Sequence, residues 1–229
     1  MKNVLITGAG GALGKACVTE FLKKDYQVIV ILSPNKKLSY ATSSSVSIYN
    51  ADLMDEAATN TTLVQVIKDH KTIDVALLLV GGFTSGNIDT TDGALVRKMI
   101  SLNFETAFYT ARTIFGQMAK QPNGGRIVFV GSRPTLDAKA GKGVLAYALS
   151  KTLIFKLAEI LNEEGKEKNV ISSVIVPSII DTPDNRIAMP KANTGKWVKP
   201  ESIAEIIEFA TSEKGSAIRE SVIKVYGNS

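Results

Sequence analysis

The chain has 229 residues, 45% of them hydrophobic and 21% charged, enough apolar side chain to fill a core and too much for intrinsic disorder. Its 27 Lys and Arg against 22 Asp and Glu give a net charge of +5, scattered among acids, so no nucleic-acid partner is expected. Cys17 and His70 are the only residues of their types, which excludes an intrachain disulfide and a Cys-based metal site. A hydrolytic triad would have only His70, which sits in the polar run Lys68-Asp69-His70-Lys71 and reads as a surface residue. No metal is expected.

In chain order, Val4 to Thr7 is a short apolar strand, and Gly8-Ala9-Gly10-Gly11-Ala12-Leu13-Gly14 follows it. Met1-Lys2-Asn3 leads straight into that strand, with no apolar run of secretory type. Lys15 to Lys24 has helical spacing, and Tyr26 to Leu32 is a strand apolar nearly throughout, as in a parallel sheet covered on both faces. A third strand runs from Val46 to Tyr49, a helix from Asp55 to His70 and a fourth strand from Val75 to Val80. A long helix is expected over Gly93 to Ala119, a turn at Gln121 to Gly125 and a fifth strand over Arg126 to Val130. Gly143 to Leu161 is helical and Val170 to Val176 a sixth strand. Residues 178–199 show no clean period. Glu201 to Thr211 is the last helix and Ser221 to Tyr226 a seventh strand.

This alternation predicts an α/β fold: one doubly wound Rossmann-type domain over 1–229, with a mainly parallel seven-stranded sheet. No run of roughly 18 apolar residues suggests a membrane span. The lone cysteine suits a reducing compartment, and a cytoplasmic location is expected.

The glycine loop lies between a strand and a helix, where a dinucleotide pyrophosphate is held. Gly8 turns the chain sharply, Gly10 and Gly11 allow close approach, and Gly14 lets helix and strand pack. A Walker loop would end in Gly-Lys-Ser/Thr, which is absent. An acid at the tip of the second strand would bind the ribose hydroxyls of NAD. Here the strand ends in Leu32-Ser33, with Lys36 and Lys37 close behind, a set suited to a 2′-phosphate; NADP(H) is therefore favoured over NAD(H). Asp52, after the third strand, is placed to meet the adenine amine or to cap a helix.

Tyr147 and Lys151 are four residues apart and share one helix face. A phenol with pKa about 10 is a poor proton donor at neutral pH; the Lys151 ammonium and an oxidised nicotinamide are expected to pull it down. Ser132, just past the fifth strand, can donate to a substrate oxygen beside Tyr147. Asn103, within the long helix, can hold a water or bend the helix and link Lys151 to solvent.

These residues together resemble the short-chain dehydrogenase/reductase family over essentially the whole chain. Thr7, Gly8 and Gly14 match its Thr-Gly-x-x-x-Gly-x-Gly motif, with Ala12 in place of the middle glycine. The resemblance implies a catalytic set of Asn103, Ser132, Tyr147 and Lys151. It also implies coenzyme contacts at Gly8, Gly10, Ala12, Leu13, Gly14, Ser33, Lys36, Asp52, Gly81, Lys151, Pro177 and Thr182. Leu78-Leu79-Val80-Gly81 replaces the family's Asn-Asn-Ala-Gly, and the gap from Ser132 to Tyr147 is about two residues longer than usual.

Within the family, Gly10 to Gly14, the run Val80-Gly81-Gly82-Phe83-Thr84-Ser85-Gly86 and Asp181-Thr182-Pro183-Asp184-Asn185-Arg186 resemble the dihydropteridine reductases. Met189-Pro190 and Trp197 are in step with the lid of that group. Leu32 replaces its aspartate, and Ser132 supplies a serine that the group normally lacks.

The resemblance implies hydride transfer from NAD(P)H to a small planar substrate such as a quinonoid dihydropteridine. The alternative is a carbonyl reductase or alcohol dehydrogenase of other specificity; a non-catalytic dinucleotide sensor is a third reading. Phe83 and Trp197 can stack on a flat ring or serve as lid core. Residues 181–199 would form the lid. A homodimer or homotetramer is implied, with the helices near 93–119 and 143–161 as contact surfaces.

Overall fold

The computed structural model describes residues 1–39, 43–219 and 221–228. The strands are β1 (Asn3–Thr7), β2 (Gln27–Leu32), β3 (Val46–Asn50), β4 (Val75–Leu78), β5 (Gly125–Val130), β6 (Val170–Pro177) and β7 (Val222–Val225). The helices are α1 (Ala12–Lys23), α2 (Glu56–His70), α3 (Gly93–Ile100), α4 (Thr106–Met118), α5 (Ala138–Gly141), α6 (Leu145–Gly165), α7 (Pro183–Ala188) and α8 (Pro200–Thr211). The strands form one sheet in the order β3-β2-β1-β4-β5-β6-β7, every neighbouring pair parallel. This is the expected single Rossmann-type domain.

Alternate residues of each strand enter opposite cores, because successive side chains point to opposite faces. Leu5, Ile29, Ala76, Ile127 and Val174 pack with Leu63 and Val66 of α2, Ala111 and Ile114 of α4, and Ile154 and Ala158 of α6. Val4, Ile6, Val28, Leu77, Val128 and Ile175 pack with Cys17 and Phe21 of α1 and Ile203 and Ile207 of α8. The helix after β1 thus covers one face and those after β4 the other. Where that reversal occurs, between β1 and β4, the carboxyl edge of the sheet opens into a crevice.

Several element boundaries differ from the sequence expectation, among them the start of α1, which lies at Ala12 rather than Lys15. β4 stops at Leu78, where the Leu79 N–H turns to the Thr7 hydroxyl at 3.1 Å instead of continuing the ladder. The helix expected over 93–119 is broken into α3 and α4 by a π-helical turn, Ser101–Glu105. α6 runs on to Gly165. Residues 178–199 contain α7, whose N-cap is Thr182 and whose first residue is Pro183. Cap and proline are a helix-start signal, but six residues are too few to show a period.

The turn before β5 is held by a side chain. Gln121 Oε1 accepts from Ile73 N at 2.8 Å, and its Nε2 donates to Ile73 O at 2.9 Å and Gly124 O at 2.8 Å. The amide acts as a one-residue strand beside the start of β4. Replacing Gln121 with Ala strands three part-buried main-chain groups. We expect a loss of about 2 kcal/mol, or roughly 4–8 °C in Tm, read by thermal unfolding.

Candidate active site at the carboxyl edge of the sheet

The loop after β1 is shaped by close main-chain approach. Gly8 has φ +72°, and a Cβ on Gly14 would lie 2.2 Å from Gly8 O, so only glycine lets α1 start against the loop. Gly11 is the N-cap of α1, with no side-chain cap and no acid in the first turn. Uncapped N–H groups at the positive end of a helix suit a phosphate diester. A cavity of about 900 Å³ runs from this loop to Tyr147, Lys151 and Thr182, with Gly8, Gly10, Gly11, Ala12, Leu13, Gly14 and Gly81 in its wall. A second cavity, of about 510 Å³, shares Gly8, Gly10, Gly11, Leu79 and Gly81 and continues past Ser33, Lys36, Lys37 and Asp52. The pair forms one crevice over β1, wide enough at each end for one half of a dinucleotide.

At the far end Asn50 shapes the loop. Its Nδ2 donates to Ser33 O at 2.9 Å and Lys36 O at 3.0 Å, while Lys36 N donates to Ser33 O at 3.1 Å. Asn50 was not singled out from the sequence; a polar residue ending the third strand, shortly before Asp52, was the available signal. Asp52 accepts from Met54 N at 3.0 Å, and it is Asp55 that caps α2.

At the near end, α6 places Tyr147 and Lys151 on one face, as their spacing requires, and both line the larger cavity. Lys151 is 6% exposed, and its Nζ donates to Val130 O at 2.9 Å. Burial pushes its pKa down to about 8. Tyr147 departs from the expected direction: burial raises its pKa, and the Ser132 hydroxyl opposes that rise.

Ser132 follows β5 and is 5% exposed. Its Oγ forms no hydrogen bond of full geometry, although it lies close enough to act on the Tyr147 phenol. The longer gap from Ser132 to Tyr147 is taken up by a 3₁₀ turn, Arg133–Thr135, and by α5.

The π turn carries Asn103 into the interior at 1% exposure. Asn103 Oδ1 accepts from Gly82 N at 2.8 Å, and Nδ2 donates to Gly82 O at 3.1 Å and to Ser150 Oγ at 3.0 Å. Asn103 therefore clamps the loop after β4. A Cβ on Gly81 would fall 2.7 Å from Asn103 Oδ1 and 3.0 Å from Lys151 Nζ, so Gly81 admits both groups.

Phe83 and Trp197 part company. Phe83 is 67% exposed, lines the larger cavity and sets its ring against Tyr147, centroids 5.1 Å apart at 66°. Trp197 is buried and absent from the cavity walls, so of its two expected roles it takes that of core. Pro177 is likewise buried, paired with Val225 in the sheet and outside both cavities. Thr182 lines the larger cavity, its Oγ1 accepting from Asn185 N at 3.2 Å. The segment 181–197 is closed at its base, where Asp181 N donates to Val198 O at 2.8 Å and Val198 N to Ile179 O at 2.9 Å. Arg186 holds Asp181 through two hydrogen bonds, at 2.6 and 2.8 Å. His70 lies at the end of α2 against Tyr49 and outside both cavities. Among the described residues there is no group of three or more His, Cys, Asp or Glu able to hold a metal ion. None of their helices is long and apolar enough to cross a membrane.

A family model described as short chain dehydrogenase matches residues 2–192. The chain is 27% identical over 230 residues to a dihydropteridine reductase of Dictyostelium discoideum, covering 97% of this chain and 94% of that one. It is 26% identical over 247 residues to the 3-oxoacyl-[acyl-carrier-protein] reductase FabG of Thermotoga maritima, covering 99% and 96%. Its fold is similar to that of ElxO with NADP bound, with a TM-score of 0.90 at 24% identity, covering 99% of this chain and 97% of that one. The chain belongs to the short-chain dehydrogenase family and is an NAD(P)-dependent oxidoreductase of that family.

Proposed function

We propose that the chain reduces a small-molecule carbonyl compound with NADP(H) as the preferred coenzyme. The observation that carries this reading is the buried Ser132 hydroxyl beside Tyr147 with no full hydrogen bond of its own. A buried donor without a partner is costly, and a substrate oxygen between the two hydroxyls would satisfy it. The coenzyme, when bound, supplies the hydride. Ser132 holds the substrate oxygen, and Tyr147 gives that oxygen its phenolic proton. Lys151 holds the nicotinamide ribose and favours the phenolate left behind. Asn103 keeps Gly82 and its neighbours in place. Gly8, Gly10, Ala12, Leu13 and Gly14 hold the pyrophosphate, and Gly81 and Thr182 flank the nicotinamide half.

Ser33, Lys36 and Lys37 in the smaller cavity support NADP(H), since Leu32 ends β2 where an acid would favour NAD(H). The similarity to ElxO with NADP bound points the same way. Asp52 lines the same cavity and is placed for the adenine. Residues 181–199, hinged at the contact of Ile180 with Val198, form the lid.

A second reading, reduction of a quinonoid dihydropteridine, is favoured by one feature. The exposed Phe83 ring beside Tyr147 offers a flat heterocycle an aromatic wall. The relative from Dictyostelium discoideum supports it. The variety of relatives, with 3-ketodihydrosphingosine reductase of the same organism and 7alpha-hydroxysteroid dehydrogenase of Bacteroides fragilis among them, supports carbonyl chemistry more.

The apolar groove between α4 and α6, lined by Phe104, Phe108, Phe115, Leu153, Leu157 and Ile160, supports a homo-oligomer built on those helices. Sedimentation velocity is expected to give the mass of a dimer or tetramer; the mass of a single chain would remove this proposal.

The function is tested by following oxidation of NADPH and NADH in parallel against ketones, aldehydes and a freshly generated quinonoid dihydropterin. Turnover of a carbonyl compound, faster with NADPH, is expected; turnover of the pterin alone would select the second reading. Tyr147→Phe should lower kcat by about 10³-fold and Ser132→Ala by about 10²-fold, with NADPH affinity changed little in either. Lys151 supplies a second check. Its ammonium form prevails below pH about 8 and its neutral amine above. NADPH affinity, measured by nucleotide fluorescence, is therefore expected to fall as pH rises through that value. A flat profile from pH 6 to pH 10 would remove the charged role of Lys151.

A further inference from the structure

Ser150 is fully buried, stands one residue before Lys151 and touches neither cavity. Its hydroxyl has one hydrogen, and that hydrogen goes to Tyr147 O at 2.8 Å. The oxygen is left to accept, and it takes the Asn103 amide at 3.0 Å. Asn103 spends its other amide hydrogen on Gly82 O and its oxygen on Gly82 N. A continuous set of buried hydrogen bonds therefore runs from the loop after β4, through the π turn, to the turn of α6 that carries Tyr147. Ala would suit the helix interior better than Ser, so the hydroxyl is not there for the helix.

The far end of the same loop is sewn to α6 by main chain alone. Gly86 N donates to Gly143 O at 2.7 Å, and Leu145 N donates to Gly86 O at 2.9 Å. Phe83 sits between these two fastenings, with its ring on Tyr147. Only the fastening at Gly82 depends on side chains.

We infer that Ser150 is a positioning residue, which acts through Asn103 to hold the Gly82–Phe83 wall at a set distance from Tyr147. The inference rests on the reading of Tyr147 as the proton donor. Buried networks of this kind make both groups rigid when every member is satisfied. Loss of one member loosens the geometry of the reacting groups, and misplacement by a fraction of an ångström is read in kcat.

The test is a double-mutant cycle on the full chain, with NADPH and the best substrate of the parent enzyme. Ser150→Ala is expected to lower kcat about tenfold, with NADPH affinity held within about twofold. In an Asn103→Ala background the same change should add less than about twofold, because its route is already cut. Ser150→Cys, nearly isosteric but a weak acceptor, should fall between parent and Ser150→Ala, and it secures the test if the alanine variant fails to fold. Parent-like kcat in the alanine variant, or in the cysteine variant, would overturn the inference. So would losses that simply multiply in the double variant. Tyr147→Phe is measured alongside. If it abolishes turnover while Ser150→Ala is parent-like, only the Ser150 inference fails; if it turns over normally, the reading of Tyr147 fails first.

Discussion

A parallel sheet with two apolar faces is the constraint on which the rest of this molecule depends. Each strand must be covered above and below, and each crossover must be long enough to return the chain to the same end. Helices therefore alternate with strands, and the helix after β1 goes to the face opposite that taken by the helix after β4. The strands on either side of that reversal have no helix bridging their carboxyl ends. A crevice results there from topology alone, before any residue is chosen for chemistry.

The residues in the crevice are held by elements that cannot easily move. Lys151 is tied to Val130 at the end of β5, Asn103 to Gly82 after β4, and Thr7 to Leu79 across the mouth of β1. Burial strengthens these bonds and also disfavours charge. The same desolvation lowers Lys151 and raises Tyr147, so the protein alone keeps the phenol protonated and brings the lysine down to a pKa of about 8. A bound coenzyme and substrate would meet a proton donor in its acid form, which is the form reduction of a carbonyl requires.

The larger cavity is bordered by two kinds of element. Tyr147, Lys151 and Ser132 belong to α6 and the end of β5, within the core of the fold. Phe83 and the segment 181–197 rise from the sheet edge and border the larger cavity. The loop of Phe83 is fastened on both sides, at Gly82 and Gly86, whereas the segment 181–197 is fastened chiefly at its base.

Much of this was legible in the sequence, for physical reasons. Strands buried on both faces read as unbroken apolar runs, and the glycines at 8 and 14 mark places where main chains approach too closely for a Cβ. Tyr147 and Lys151 share a face because a helix repeats every 3.6 residues. The tertiary structure alone decided what depends on residues far apart in the chain. Ser150 meets Asn103 across 47 positions, and Gln121 stands in for a strand beside Ile73. The π turn that carries Asn103 inward has no local signature, and Trp197 became core while Phe83 remained at the cavity. Local patterns report how a segment folds on itself; which of two aromatic rings lines a cavity and which is buried is settled only when distant segments compete for the same buried space.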